Sequence, residues 1–147
     1  MRLTVGCLLL AVTVLASNVG ADTTDVEDCA RSAAQLQIQQ PVAFAAASAV
    51  MLPASRPSID ALALIAVDCP NARIIIEGHT DDRGSDALNL QLSQARAQAV
   101  VDALTTRGLD AARMTARGLG SLQPIASNDT RAGRAKNRRI VVSFVDR

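Results

Sequence analysis

The spacing of apolar positions changes along this chain, and each change marks an element. Ala72-Arg73-Ile74-Ile75-Ile76-Glu77 is a short β-branched run closed by Gly78, which predicts a strand. After the polar loop from His79 to Gly84, Ser85 stands where a helix N-cap is needed. From Asp86 to Arg107, Leu88, Leu92, Ala95, Ala99 and Ala103 recur at three- and four-residue steps, predicting a helix with that stripe as its apolar face and Gly108 as its stop. Upstream, Ile59, Leu62, Ala63 and Ala66 make the buried face of a helix over 59–67, preceded by a Pro53–Ser58 break and ended by Pro70. Pro41-Val42-Ala43-Phe44 predicts an edge strand starting at a proline, where the missing amide does least harm. The polar segment before it holds no strand, and Ala30–Gln39 reads as a short helix. Met114–Leu119 predicts a strand, Ser121–Thr130 a long turn and Thr130–Ala135 a brief helical stretch. In a last strand, Arg139–Val145, apolar residues face both ways, which predicts a central position. Strand, helix, strand, helix, strand, loop, strand is the order of an α/β (α+β) fold with helices packed on a mixed sheet.

A second stripe runs along the helix after Ser85. Asn89, Ser93 and Arg96 lie at i, i+4 and i+7, about a quarter turn from the apolar face. They bring an amide, a hydroxyl and a guanidinium near a loop carrying Asp81 and Asp82. By spacing alone, a binding site and a capped loop with a solvated helix face are equally good readings.

The motifs narrow the choice. Gly78-His79-Thr80-Asp81, Asn89, Leu92-Ser93, Arg96-Ala97 and Val100 resemble the core signature of the OmpA C-terminal-like family of peptidoglycan-binding domains. Gly118-Leu119-Gly120, Pro124-Ile125-Ala126, Asn128, Gly133-Arg134 and Asn137-Arg138-Arg139 continue the pattern, and the similarity runs from about Pro41 to Val145. It implies a βαβαββ mixed sheet packed against helices. It divides the chain into a signal peptide (1–21), an N-terminal segment (22–40) and an OmpA-like domain (41–147).

Composition adds exclusions. A net charge of +1 gives no support for a nucleic-acid partner, and with no Trp or Tyr and only Phe44 and Phe144 there is no aromatic platform for stacking bases or sugars. Arg2, the apolar stretch Val5–Ala16 and the small residues Val19-Gly20-Ala21 have the layout of a secretory signal. That stretch is shorter than the roughly 20 residues of a membrane span, which leaves an uncleaved anchor as the weaker alternative. Export leaves Cys29 and Cys69 as an even pair in an oxidising compartment, and a disulfide between them is expected. His79 is the sole histidine, so a zinc site has almost no ligands to draw on, and no cofactor is implied.

His79, Asp81 and Ser93 are the one set from which a hydrolase would have to be built. They lack a nucleophile elbow or a nucleophile at a defined offset from the histidine. A site for a zwitterion fits better, since such a ligand needs an anion and a cation held at fixed separation. The resemblance maps the principal ligand pair onto Asp81, for an ammonium, and Arg96, for a carboxylate. The ligand so implied is the meso-diaminopimelate of the peptidoglycan stem peptide. Asn89 and the Thr80–Asp82 loop would add hydrogen bonds, Arg138 is a second candidate cation, and Arg134 and Asn128 are read as ordering the loop. The expected protein is non-catalytic, periplasmic and associated with the outer membrane or an envelope partner. An accessory subunit of an envelope motor or secretion apparatus, and a cell-wall hydrolase, are the alternatives.

Overall fold

The computed structural model describes residues 22–146. The elements follow as α1 (Asp22–Gln39), α2 (Arg56–Asp68), β1 (Arg73–His79), α3 (Asp86–Thr105), β2 (Met114–Gly120), α4 (Arg131–Asn137) and β3 (Ile140–Val145), with 3-10 turns at Pro53–Ser55 and Ala111–Arg113. Among the described residues the three strands form one mixed sheet of order β2-β1-β3. β1 runs parallel to β2, with Gly78 opposite Gly118, and antiparallel to β3, with Ile76 opposite Val142. Ile74 and Ile76 alternate into the core, where they meet Ile59 and Leu62 of α2, Val100 and Leu104 of α3, and Val142 and Phe144 of β3. The helices and strands predicted over 59–67, 72–77, 86–107, 114–119, 130–135 and 139–145 are all present, and Ser85 caps α3 by accepting from the Leu88 amide.

Four expectations change. The first concerns the face on which α3 packs. Leu88 is 64% exposed, and the inward side is Asn89, Ser93, Arg96, Ala97, Val100, Val101 and Leu104. The strands beneath explain it. A Cβ on Gly78 would lie 2.1 Å from the Ser93 carbonyl oxygen, and one on Gly118 would lie 2.5 Å from the Gln94 backbone nitrogen. The first half of α3 therefore rests on bare strand backbone, in a seam that admits a serine or asparagine and leaves no room for leucine.

The second is the strand expected at 41–44, which does not join the sheet. Phe44 makes one isolated bridge to Met51, and the segment folds into a small hairpin. Pro41 has no amide to give to a ladder, and the edge it would have used is occupied. Gln37 of α1 accepts from the Val142 amide (2.7 Å) and donates to the Val142 carbonyl (3.0 Å), as a paired strand residue would. The third change follows from this: β3 is an edge strand of the sheet, and α1 covers that edge. On the opposite edge, Gln94 does the same for β2, accepting from the Gly118 amide and donating to the Ala116 carbonyl. Side-chain amides thus close both edges to further pairing.

Fourth, α1 is longer than expected, starting eight residues before Ala30. Val26, Cys29, Ala33 and Leu36 recur at helical steps and turn toward the core, a pattern hidden by the polar residues between them. Cys29 is joined by a disulfide to Cys69, the residue that ends α2, as export and parity predicted. Arg113 closes the same end by donating to the carbonyls of Ala66, Cys69 and Ala72. The readings for Arg2, Val5–Ala16 and Val19–Ala21 lie outside the described residues.

Candidate functional site

Where β1 ends, its register with β2 shifts between Gly78 and His79, and the chain turns into the loop that leads to α3. Thr80 is held by its amide, which donates to the Gly120 carbonyl at 2.9 Å. Asp81 is buried, only 7% exposed. Its Oδ1 accepts from the Arg83 amide at 3.2 Å, an Asx-type turn, and its Oδ2 accepts from Arg138 Nη1 at 2.7 Å. Burial pushes the Asp81 carboxyl up. The hydrogen bonds from Arg138 and the Arg83 amide, with both arginine charges, outweigh that and hold it below the usual carboxylate range. Asp81 is therefore a fixed anion at neutral pH.

Asn89, buried on the first turn of α3, donates from Nδ2 to the carbonyls of Asp81 (3.3 Å) and Arg83 (3.0 Å). Its amide group shapes the loop. Ser93 stitches α3 to β2, donating to the Leu90 carbonyl and accepting from the Gly120 amide. Arg96, one turn on, is 8% exposed. Its Nε donates to the Ser48 carbonyl at 2.8 Å, its Nη2 reaches the Ala45 carbonyl at 3.5 Å, and its guanidinium carbon lies 5.3 Å from the centre of the Phe44 ring. Burial and the charge of Arg138 lower its pKa while Asp81 raises it. Arginine keeps its proton under such conditions. The guanidinium has five N–H groups, so two donated to the hairpin leave the remainder for a carboxylate.

The structure thus gathers Asp81, Arg96 and Arg138 at one end of the sheet, with Thr80 and Asn89 beside them. Asp82 stays exposed on the loop. The Thr80 hydroxyl and His79 Nδ1 are buried without a hydrogen-bond partner. Burial, and then the charge of Arg139, lower His79 to about 4, so its ring is neutral. Arg138 is presented by a braced segment. The Asn137 side chain, fully buried, accepts from the amides of Ile125 and Ala126 and donates to the Ala126 carbonyl and to Asn128 Oδ1. Arg134 donates to the Asn128 carbonyl at 2.6 Å. Arg134 and Asn128 therefore order the 121–130 loop as expected. The organising role of Asn137 and the contact of Phe44 with Arg96 were not foreseen. Neither carries a periodic signal, and only the match over Asn137-Arg138-Arg139 touched the first. Among the described residues no cluster of His, Cys, Asp or Glu could hold a metal ion.

Known proteins are similar to this chain in sequence and fold. The peptidoglycan-binding protein ArfA of Mycobacterium tuberculosis is 43% identical over 102 residues, 69% of this chain and 31% of ArfA. The chain spans half or less of the length of the curated relatives it matches first. The crystal structure of the peptidoglycan-associated lipoprotein from Burkholderia pseudomallei superposes with a TM-score of 0.68 at 32% identity, covering 75% of this chain and 93% of that one. The cell wall anchor of the T6SS from Pseudomonas aeruginosa gives a TM-score of 0.66 at 32% identity, over 80% of this chain and 96% of that one. Since the family model for OmpA matches residues 43–138, well over half of the sequence, the chain belongs to the OmpA family.

Proposed function

We propose that this chain binds peptidoglycan without covalent linkage, by gripping the meso-diaminopimelate of the stem peptide, and so anchors itself or an envelope partner to the cell wall. The observation that carries the reading is the pairing of two buried charges, Asp81 and Arg96, with the exposed Arg138 bonded to Asp81 at the mouth of the site. An alternating set of one fixed anion and two cations suits a group that presents an ammonium beside carboxylates. Asp81 takes the ammonium and Arg96 the carboxylate, with Arg138 next to both. The relatives named for peptidoglycan binding and for wall anchoring support the same reading, and with it a periplasmic place beside the outer membrane. The protein holds the wall and does not cut it, because the site supplies charge and hydrogen bonds and offers no activated nucleophile. The T6SS anchor favours an envelope machine as the cargo.

Co-sedimentation with purified peptidoglycan tests this. Asp81→Ala and Arg96→Ala remove the anion or the planar fork. Truncating one member of such a pair typically costs about 2–5 kcal/mol, enough to abolish pelleting with diaminopimelate-type wall. Glu77→Gln, on the strand face beside Arg117, should pellet as wild type does. Wall with lysine in place of diaminopimelate lacks the second carboxylate and should bind poorly. Equal pelleting by wild type and both site variants would refute the assignment, and release of soluble fragments would reinstate the hydrolase.

A further inference from the structure

We infer that the hairpin over 43–52 is the aiming element for Arg96, with Phe44 as its positioning residue. This rests on the wall-binding reading above and adds a component to it. Arg96 leaves α3 on a long side chain, and an arginine ordered only on binding gives up most of its rotamer freedom at that moment. Here the guanidinium is held in advance on three sides. Ser48 and Ala45 accept from Nε and Nη2, and the Phe44 ring lies 5.3 Å from the guanidinium carbon, within cation–π range.

The hairpin is built to present those carbonyls. The Ala45 amide donates to Val50, the Leu52 amide to Ala43, and the Ser48 amide to Ala45. Ala47, at the tip, has a φ of 47°, a left-handed conformation that an alanine adopts only under constraint, and it precedes the carbonyl that Arg96 uses. Ser55 fixes the base: its buried hydroxyl accepts from the Ala43 amide and donates to the Ala43 carbonyl. The bridge from Phe44 to Met51 closes the ladder. A segment outside the main sheet is thus tied down at both ends and offers its carbonyls and its single aromatic ring to one arginine. Preorganising a charged group in this way raises affinity by removing an ordering cost from the binding step.

The test uses the full chain and a soluble peptide of L-Ala, γ-linked D-Glu and meso-diaminopimelate as probe, with affinity read by calorimetry. Phe44→Leu keeps apolar volume and loses the ring, and should weaken binding about three- to tenfold, the scale of one cation–π contact. Phe44→Tyr should restore it, and Phe44→Met stands in if the leucine variant does not fold. The Arg96 Nε–H resonance gives a direct readout: resolved and slow to exchange in wild type and Phe44→Tyr, shifted and faster in Phe44→Leu. A merely structural phenylalanine predicts a lower melting temperature with affinity and resonance unchanged, and that result overturns the inference. So does a tyrosine variant as weak as the leucine one. Failure of the wild type to bind the peptide or pellet with the wall instead removes the wall-binding reading itself, which separates the two failures.

Discussion

His79 sits in an environment far from what its type would suggest. It is 2% exposed, its Nδ1 has no hydrogen-bond partner, and burial with the nearby Arg139 charge lowers its pKa from 6.5 to about 4. The unfolded chain takes up this proton as pH falls through 6.5, and the folded chain takes it up only near 4. Between those values unfolding binds a proton, so stability is full above the window and declines as pH is lowered through it, by up to about 3 kcal/mol. Asp81 acts separately. Its lowered pKa contributes stability that is present above the ordinary carboxylate value of 3.8 and is lost only below it. Urea midpoints at pH 7, 5.5 and 4.5 should therefore fall in wild type, and the slope should flatten in His79→Gln. An unchanged slope in the variant would assign the pH dependence elsewhere. At this scale the sequence brought Asp81, Arg96 and Asn89 forward as candidates, because they are polar groups in a recognisable order. It could not expose their partners. Asp81 meets Arg138 across 57 positions, and Arg96 meets the Ser48 carbonyl across 48, distances over which no local pattern carries information.

Among the elements, α3 shows why periodicity found the helix and misjudged its face. Three- and four-residue spacing of leucines and alanines was enough to predict α3. The choice of face depended on what lay under it, and the strands offered glycine. Gly78→Ala would drive a Cβ to 2.1 Å from the Ser93 carbonyl oxygen, and the obstacle is backbone, which cannot swing aside. Either α3 lifts from β1 or the strand bends. Overpacking of this kind costs about 1–3 kcal/mol and more where the backbone must shift, so the variant should unfold at clearly lower urea or fail to accumulate. Gly84→Ala is the control. Its φ is +89° but nothing lies within 4 Å of the added methyl, so the cost should stay near 1 kcal/mol. Equal midpoints for the two variants would mean that conformation, and not close approach, sets the requirement for glycine. The same dependence on neighbours explains β3. Its two-sided apolarity is genuine, and the cover on its outer edge comes from Gln37 of a helix, where a strand had been expected.

At the scale of the whole molecule, the disulfide and the charge cluster lie at opposite ends of β1. Cys69 precedes the strand and Asp81 follows it, and the seven-residue strand between them is about 20 Å long. The Cys29–Cys69 bond ties α1, and with it the cover over the β3 edge, to the end of α2. The pairing was legible from export and parity, whereas the length of α1 was not, because its inward residues are few and small. Closing a loop of separation 40 should add about 4 kcal/mol on the chain-entropy account. Cys29→Ser with Cys69→Ser should lower the urea midpoint accordingly, to a degree similar to reduction of the wild type by dithiothreitol. Wall binding below the new midpoint should persist, because Asp81, Arg96 and Arg138 draw their hydrogen-bonded support from α3, the 43–52 hairpin and the Asn137-braced loop. Mass spectrometry of unreduced protein should show two hydrogens fewer than the free-thiol mass. Two free thiols in protein recovered from an oxidising compartment, or an unchanged midpoint on reduction, would remove the bond from this account. Loss of wall binding in a still-folded serine variant would show that α1 reaches the site from the far end of the sheet.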